Sequence, residues 1–190
     1  MGRIALFGGT FDPVHNAHIA VAREAAAKFS LGSVILVPAF QPPHKAGAKA
    51  SYEDRVRMCE LACEGGPGFF VSRVEEGTER SYSLLTIEKL QKEYDCRLSF
   101  LIGADAFAEL GTWYRSADVV RLVDFIVVTR PGAVYAIPEG ASVEELPGVD
   151  LAISSSEIRG KIAQGDFEVP LAPKVIQYIR THGLYGTPAL

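Results

Sequence analysis

A chain of 190 residues, 48% of them hydrophobic, is long enough to bury a sizeable core as one domain. Its 19 Lys and Arg stand against 23 Asp and Glu, a net charge of −4, which argues against a general basic field for nucleic acid and leaves any anionic ligand to local cations. No apolar run approaches the roughly 20 residues of a spanning helix, and strand-like residues begin where a signal peptide would lie, so a cytoplasmic chain with no membrane partner is expected. Cys59, Cys63 and Cys96 are an odd count without Cys-x-x-Cys spacing and read as free thiols of a reducing compartment. Nothing in the composition decides whether the chain forms a homo-oligomer.

In chain order, residues 4–7 predict a buried strand that empties at Gly8 and Gly9, read as a sharp turn because neither carries a Cβ. An Ala-rich helix follows over 17–29, then a strand over 33–38 and a Gly/Pro-rich stretch at 40–50 read as a mobile loop. Helices over 52–63 and 83–94 bracket a strand at 69–74, and a strand at 98–102 precedes a helix at 116–122. A strand at 125–129 leads into a second predicted mobile loop, 131–148, then a weaker strand at 151–153 and helices over 155–164 and 170–181. Short apolar runs alternating with helical stretches predict a Rossmann-like α/β fold, an open parallel sheet with helices on both faces. No internal repeat interrupts the pattern. Ligands of such sheets collect beyond the carboxyl ends of the strands. The unusual residues fall there each time, at 8–18, 41–45, 75–82, 103–105 and 154–159, so five loops are expected to face one crevice.

Two of these loops carry a readable chemistry. His15 and His18 are three apart, on one side of a first helical turn whose unpaired N–H groups already favour an anion. As metal ligands the pair is a minor reading, because zinc sites on helices use a spacing of four and no third ligand is placed. Neither the Walker Gly-Lys-Ser/Thr nor the Gly-x-Gly-x-x-Gly pattern is present, which leaves a histidine-bearing phosphate loop. Further on, Ser154 and Glu157 have capping-box spacing, sufficient reason for both residues without any ligand. Ser155 and Ser156 add hydroxyl donors at a positive helix end, and Arg159, one turn along, can grip phosphate oxygens with its fork.

Residues 9–18, Gly-Thr-Phe-Asp-Pro-Val-His-Asn-Ala-His, resemble the first signature of the nucleotidyltransferase superfamily named for its His-x-Gly-His box, and residues 153–159, Ile-Ser-Ser-Ser-Glu-Ile-Arg, resemble its second. Within it, Pro38 to Lys45, Arg55-x-x-Met58, Ser81-Tyr82-Ser83-x-x-Thr86 and Gly103-Ala104-Asp105 with Trp113 downstream resemble the bacterial nicotinate-nucleotide adenylyltransferases. The likeness covers nearly the whole chain and implies one nucleotidyltransferase domain over 1–190. It implies transfer of the adenylyl group of ATP to nicotinic acid mononucleotide, giving nicotinic acid adenine dinucleotide and pyrophosphate in NAD biosynthesis. His15 and His18 are then the catalytic candidates. ATP is assigned to Gly8, Gly9, Thr10, Phe11, Gly103, Asp105, Ser155, Ser156 and Arg159. The mononucleotide is assigned to Lys45, Tyr82, Thr86 and Trp113, with the Trp113 face for the nicotinate ring and Thr86 plus neighbouring N–H groups for its carboxylate. For Trp113, plain core packing is the competing reading. Mg²⁺ is expected to arrive with ATP, without a protein ligand. Two departures stand out: Ala17 occupies the Gly position of the box, and Leu85 a position that is polar in many relatives. A pantetheine-phosphate adenylyltransferase shares both phosphate signatures but fits the 41–45 and 81–86 segments less well, and a non-catalytic nucleotide sensor built on the same cradle is the alternative from another class.

Overall fold

The period-2 alternation of apolar residues along each strand sorts the core into two halves. The structure, a computed structural model, describes residues 2–41, 47–130, 132–148 and 153–188. Its elements run β1 (Arg3–Gly9), α1 (Asn16–Lys28), β2 (Leu31–Pro38), α2 (Tyr52–Cys63), β3 (Phe69–Val71), α3 (Ser83–Tyr94), β4 (Leu98–Gly103), α4 (Ala104–Ala108), α5 (Ser116–Leu122), β5 (Val123–Thr129), β6 (Ser142–Pro147), α6 (Ser155–Ala163) and α7 (Pro173–Thr181). The described strands form one six-stranded sheet in the order β3-β2-β1-β4-β5-β6, every pairing parallel.

On one face Ala5, Phe7, Val34, Leu36, Leu101 and Ile126 pack against Ala22 and Ala25 of α1, Met58 of α2, Ile158 and Ile162 of α6 and Val175 and Ile179 of α7. On the other, Ile4, Leu6, Ile35, Val37, Phe100, Ile102, Phe125 and Val127 pack against Leu84, Ile87 and Leu90 of α3, Phe107 of α4 and Val119 and Val120 of α5. A strand buried on both faces needs apolar side chains at every position, which is why the strand cores read as unbroken apolar runs. β1 pairs with both β2 and β4, and the first crossover (β1-α1-β2) and the one into β4 (β3-α3-β4) lie on opposite faces. The chain therefore parts at the β1/β4 boundary, where a crevice must open beyond the carboxyl ends.

The fold agrees with the alternation read from sequence, with four local differences. β1 continues through Gly9, with Gly8 opposite Val37 and Gly9 opposite Pro38, so the two glycines end a strand and do not make the turn. The turn comes instead at Asp12 and Pro13, just after Phe11, whose φ of 49° is left-handed for a non-glycine residue, a strained conformation that buried packing must hold. β3 stops at Val71. β6 lies inside the stretch read as a mobile loop; it is an edge strand held by β5, and only Leu146 of it is buried, so no apolar run announces it. α4, five residues long, follows β4 where the sequence predicts a loop. The weaker strand at 151–153 falls largely outside the described residues.

Candidate active site

Two lobes of one crevice open beyond the ends of β1 and β4. The larger, about 670 Å³, is lined by residues 8–12, His15, Ala17, His18, Lys49, Asp105, Arg130, Ser155, Ser156 and Arg159. The smaller, about 270 Å³, is lined by Ala39, Glu75, Ser81, Tyr82, Ser83, Phe100, Glu109, Trp113 and Tyr114. Phe7, Gly8, Gly9, Thr10, Gly103 and Ala106 belong to both and form the floor between them. A Cβ built on Gly103 meets no atom within 4 Å, and one on Gly8 meets only the Phe100 ring at 3.9 Å, so these glycines keep the passage open.

The histidine motif is fixed by packing. A Cβ on Gly9 would stand 2.9 Å from the Phe11 ring, so Gly9 admits that ring, and Phe11 in turn meets the His18 imidazole edge-on at 5.0 Å between centroids. On its other side His18 stacks on His15 at 3.7 Å. The His15 backbone N–H donates to His18 Nδ1 at 3.2 Å, and an accepting Nδ1 puts the proton of the neutral ring on Nε2. His15 is buried, and burial pushes its pKa from 6.5 down to about 4, so it is uncharged at pH 7. Its Nδ1 finds no hydrogen-bond partner among the described residues.

Helix α6 starts as its spacing predicts, with Ser154 Oγ accepting from the Glu157 N–H at 3.2 Å and Glu157 Oε2 accepting from the Ser154 N–H at 3.1 Å. The Ser155 hydroxyl, read from sequence as a donor to phosphate, instead donates to the Pro13 carbonyl at 3.0 Å. It ties the two motifs together, leaving the Ser155 and Ser156 N–H groups and the Ser156 hydroxyl to face an anion. Arg159 donates through Nη1 to the Asp12 carbonyl at 2.7 Å and through Nη2 to Ser156 Oγ at 3.1 Å. His18 and Arg159, 141 positions apart in sequence, thus line one lobe.

The acceptor side departs further from expectation. Trp113 is half-buried, packs at 6.0 Å on Phe100 and also lines the smaller lobe, so it combines core packing with an available ring surface. Tyr82 is the N-cap residue just before α3, and its ring lies 4.6 Å from that of Tyr114. Thr86 is buried and absent from the lobe's wall. Its hydroxyl donates to Glu75 Oε1 at 2.6 Å, so the polar group presented there is Glu75, whose Oε2 accepts from the Phe40 N–H at 3.2 Å. Lys45 lies outside the described residues, while Lys49, Arg130 and Arg159 supply cations to the larger lobe.

Three buried charged residues have no role in the sequence reading. Asp12 accepts from the N–H groups of Lys49 at 2.7 Å and Ala50 at 3.1 Å and from the Tyr185 hydroxyl at 2.9 Å, with Arg159 Nη1 at 3.8 Å. Arg55 donates through one nitrogen to the carbonyls of Thr10 and Ala39, both at 2.8 Å, and so clamps the loops after β1 and β2. Glu75 joins the loops after β2 and β3. For Arg55 a signal exists, a charge at a helix position flanked by Val56, Met58 and Cys59; for the others only the fold supplies it.

A cytidylyltransferase-like family model matches residues 6–161. A protein of Solibacter usitatus named probable nicotinate-nucleotide adenylyltransferase is 53% identical over 97% of this chain and 100% of its own length, and one of Bordetella petrii carrying the same name is 42% identical over 97% and 100%. The fold is that of a Plasmodium falciparum nicotinic acid mononucleotide adenylyltransferase complexed with APC, at a TM-score of 0.79, 18% identity and 99% coverage of both chains. The crevice and both phosphate motifs thus sit within a chain that belongs to the cytidylyltransferase-like family and, within it, to the nicotinate-nucleotide adenylyltransferases.

Proposed function

We propose that the chain, acting as one nucleotidyltransferase domain over 1–190 in the cytoplasm, transfers the adenylyl group of ATP to the 5′-phosphate of nicotinic acid mononucleotide, releasing pyrophosphate. The observation that carries this reading is a single crevice with a cationic, donor-rich lobe continuous over a glycine floor with an aromatic lobe. The triphosphate belongs in the larger lobe, between the α1 and α6 N-termini, with Arg159 and the Ser156 hydroxyl on its outer phosphates and Asp105 toward the ribose. The nicotinate ring belongs in the smaller lobe against Trp113, with its carboxylate toward the first N–H groups of α3.

The acceptor phosphate is anionic at pH 7, so no side chain has to act as nucleophile. It attacks the α-phosphorus in line; the new P–O bond forms as the bond to the bridging oxygen breaks and pyrophosphate departs with that electron pair. Catalysis rests on alignment and on neutralising the developing charge. His18, with its proton on Nε2 and its ring clasped by Phe11 and His15, is a preorganised donor for that charge. Neutral His15 supports the stack without adding a cation. Mg²⁺ is part of the nucleotide substrate in this reading. Among the described residues no cluster of three His, Cys, Asp or Glu offers a resident site, and the Asp12 oxygens already accept three hydrogen bonds.

Pyrophosphate release from ATP, Mg²⁺ and nicotinic acid mononucleotide tests the proposal, with nicotinamide mononucleotide and phosphopantetheine as parallel acceptors. Turnover with the acid form foremost is the expected result; no pyrophosphate with any of them at saturation would reject it.

A further inference from the structure

A polar contact behind the crevice wall joins segments from near the two ends of the chain. Tyr185, in a 3₁₀ turn at Leu184–Gly186, donates its hydroxyl to Asp12 Oδ1 at 2.9 Å, across 173 residues. Its φ of 61° is left-handed for a non-glycine residue, and Gly183 and Gly186 on either side adopt the same sign, at 60° and 87°. Tyr185 touches neither lobe, whereas Asp12, whose carbonyl holds Arg159, lines the larger one.

We propose that Tyr185 is a positioning residue for ATP, acting through Asp12 to keep Arg159 turned toward the crevice. This deepens the function proposed above and rests on it. Several donors compete for the buried Asp12 carboxylate. Asp12 Oδ1 has two donors, the Ala50 N–H and the Tyr185 hydroxyl; Oδ2 has the Lys49 N–H, with the Arg159 guanidinium only 3.8 Å away. A buried carboxylate that loses a donor takes the nearest replacement, because an unmet lone pair in a low-dielectric site is costly. The cationic side chain within ion-pair distance of Asp12 is Arg159. Without the phenol, Arg159 pairs inward with Asp12 and no longer offers its fork to the β- and γ-phosphates. Burial beside Asp12 pushes the Tyr185 phenol well above its ordinary range, so it stays a donor throughout the working pH range. The same carboxylate holds the backbone of Lys49 and Ala50, so the C-terminal turn also supports the loop that enters α2.

Tyr185→Phe tests this, with Tyr178→Phe as the control. Tyr178 also donates its hydroxyl to a carboxylate, Asp54 at 2.9 Å, from the same C-terminal region, but it lines neither lobe and does not contact Asp12. The expected result is a KM for ATP about tenfold higher in Tyr185→Phe, with the KM for the mononucleotide and the melting temperature matching those of Tyr178→Phe. An ATP KM within about twofold of the parent, or equal rises in both KM values, would overturn the proposal. Calorimetric titration with MgATP alone measures the same loss of affinity without turnover. An intact chain that fails to release pyrophosphate rejects the proposed reaction, while a loss of MgATP affinity confined to Tyr185→Phe still upholds the positioning role.

Discussion

The two lobes share a floor and differ in how they are built. The larger is assembled by contacts between segments far apart in sequence, Ser155 to Pro13, Arg159 to Asp12 and Tyr185 to Asp12, each ending on a backbone carbonyl or on one buried carboxylate. The smaller is walled by aromatic rings, Phe100, Trp113, Tyr82 and Tyr114, and holds one buried carboxylate, Glu75. A phosphate chain offers charge and acceptor oxygens without a distinctive outline, so its lobe needs donors locked in direction. A ring-bearing acceptor is told apart by shape and by a few hydrogen bonds, so its lobe needs surfaces. Substitutions should separate along the same line.

His18→Ala removes the donor held by Phe11 and His15, and turnover should fall on the order of 10²–10³-fold with folding unchanged; steady-state kinetics showing near-parental kcat would remove His18 from the chemistry. Arg159→Ala should raise the KM for ATP by about 10–100-fold while the mononucleotide KM stays near parental, and equal changes in both would break the division between the lobes. His15 ties the larger lobe to pH. Its folded pKa, about 4, lies below the unfolded value of 6.5, so between those values the unfolded chain binds more protons. The stability from keeping His15 neutral is present in full above pH 6.5 and is lost as pH falls toward 4, by on the order of 3 kcal/mol. Denaturant melts of the unliganded chain against pH should show that slope, and His15→Gln should flatten it.

The shared floor gives a different signature. Gly103→Ala places a methyl where no protein atom lies within 4 Å, at a φ of −70° that alanine accepts, so the melting temperature should hold while both KM values rise by roughly five- to tenfold. A change in only one would confine Gly103 to one lobe. The smallest effect is expected from Trp113→Ala, about a fivefold rise in the mononucleotide KM with that for ATP unmoved, since the ring also packs on Phe100 and part of its loss falls on stability.

The legibility of each lobe in the sequence follows from its construction. Residues 8–18 and 153–159 are continuous motifs in which one turn of helix groups the chemistry, and the alternation of strands and helices places them at one end of the sheet. What those motifs do internally is harder to read. Gly8 and Gly9 look like a turn but end a strand, because a glycine that admits a neighbouring ring and a glycine that reverses the chain look alike in sequence. Ser155 reads as a phosphate donor until the fold brings Pro13 within reach. The smaller lobe draws one or two residues from each of several loops, so Thr86 cannot be told from Glu75 without knowing which faces the cavity. Strand β6 escapes the sequence reading for a related reason: an edge strand owes its place to backbone pairing, and Ser142, Glu144 and Glu145 give no apolar run.

The central claim is that one triphosphate lies between His18 and Arg159, and a crystal structure of the chain with Mg²⁺ and a non-hydrolysable ATP analogue tests it most directly. The β- and γ-phosphates should lie within hydrogen-bond distance of Arg159 and the first turn of α6, with the α-phosphate facing His18. Phosphates bound in the smaller lobe against Trp113, with the larger lobe empty, would contradict it.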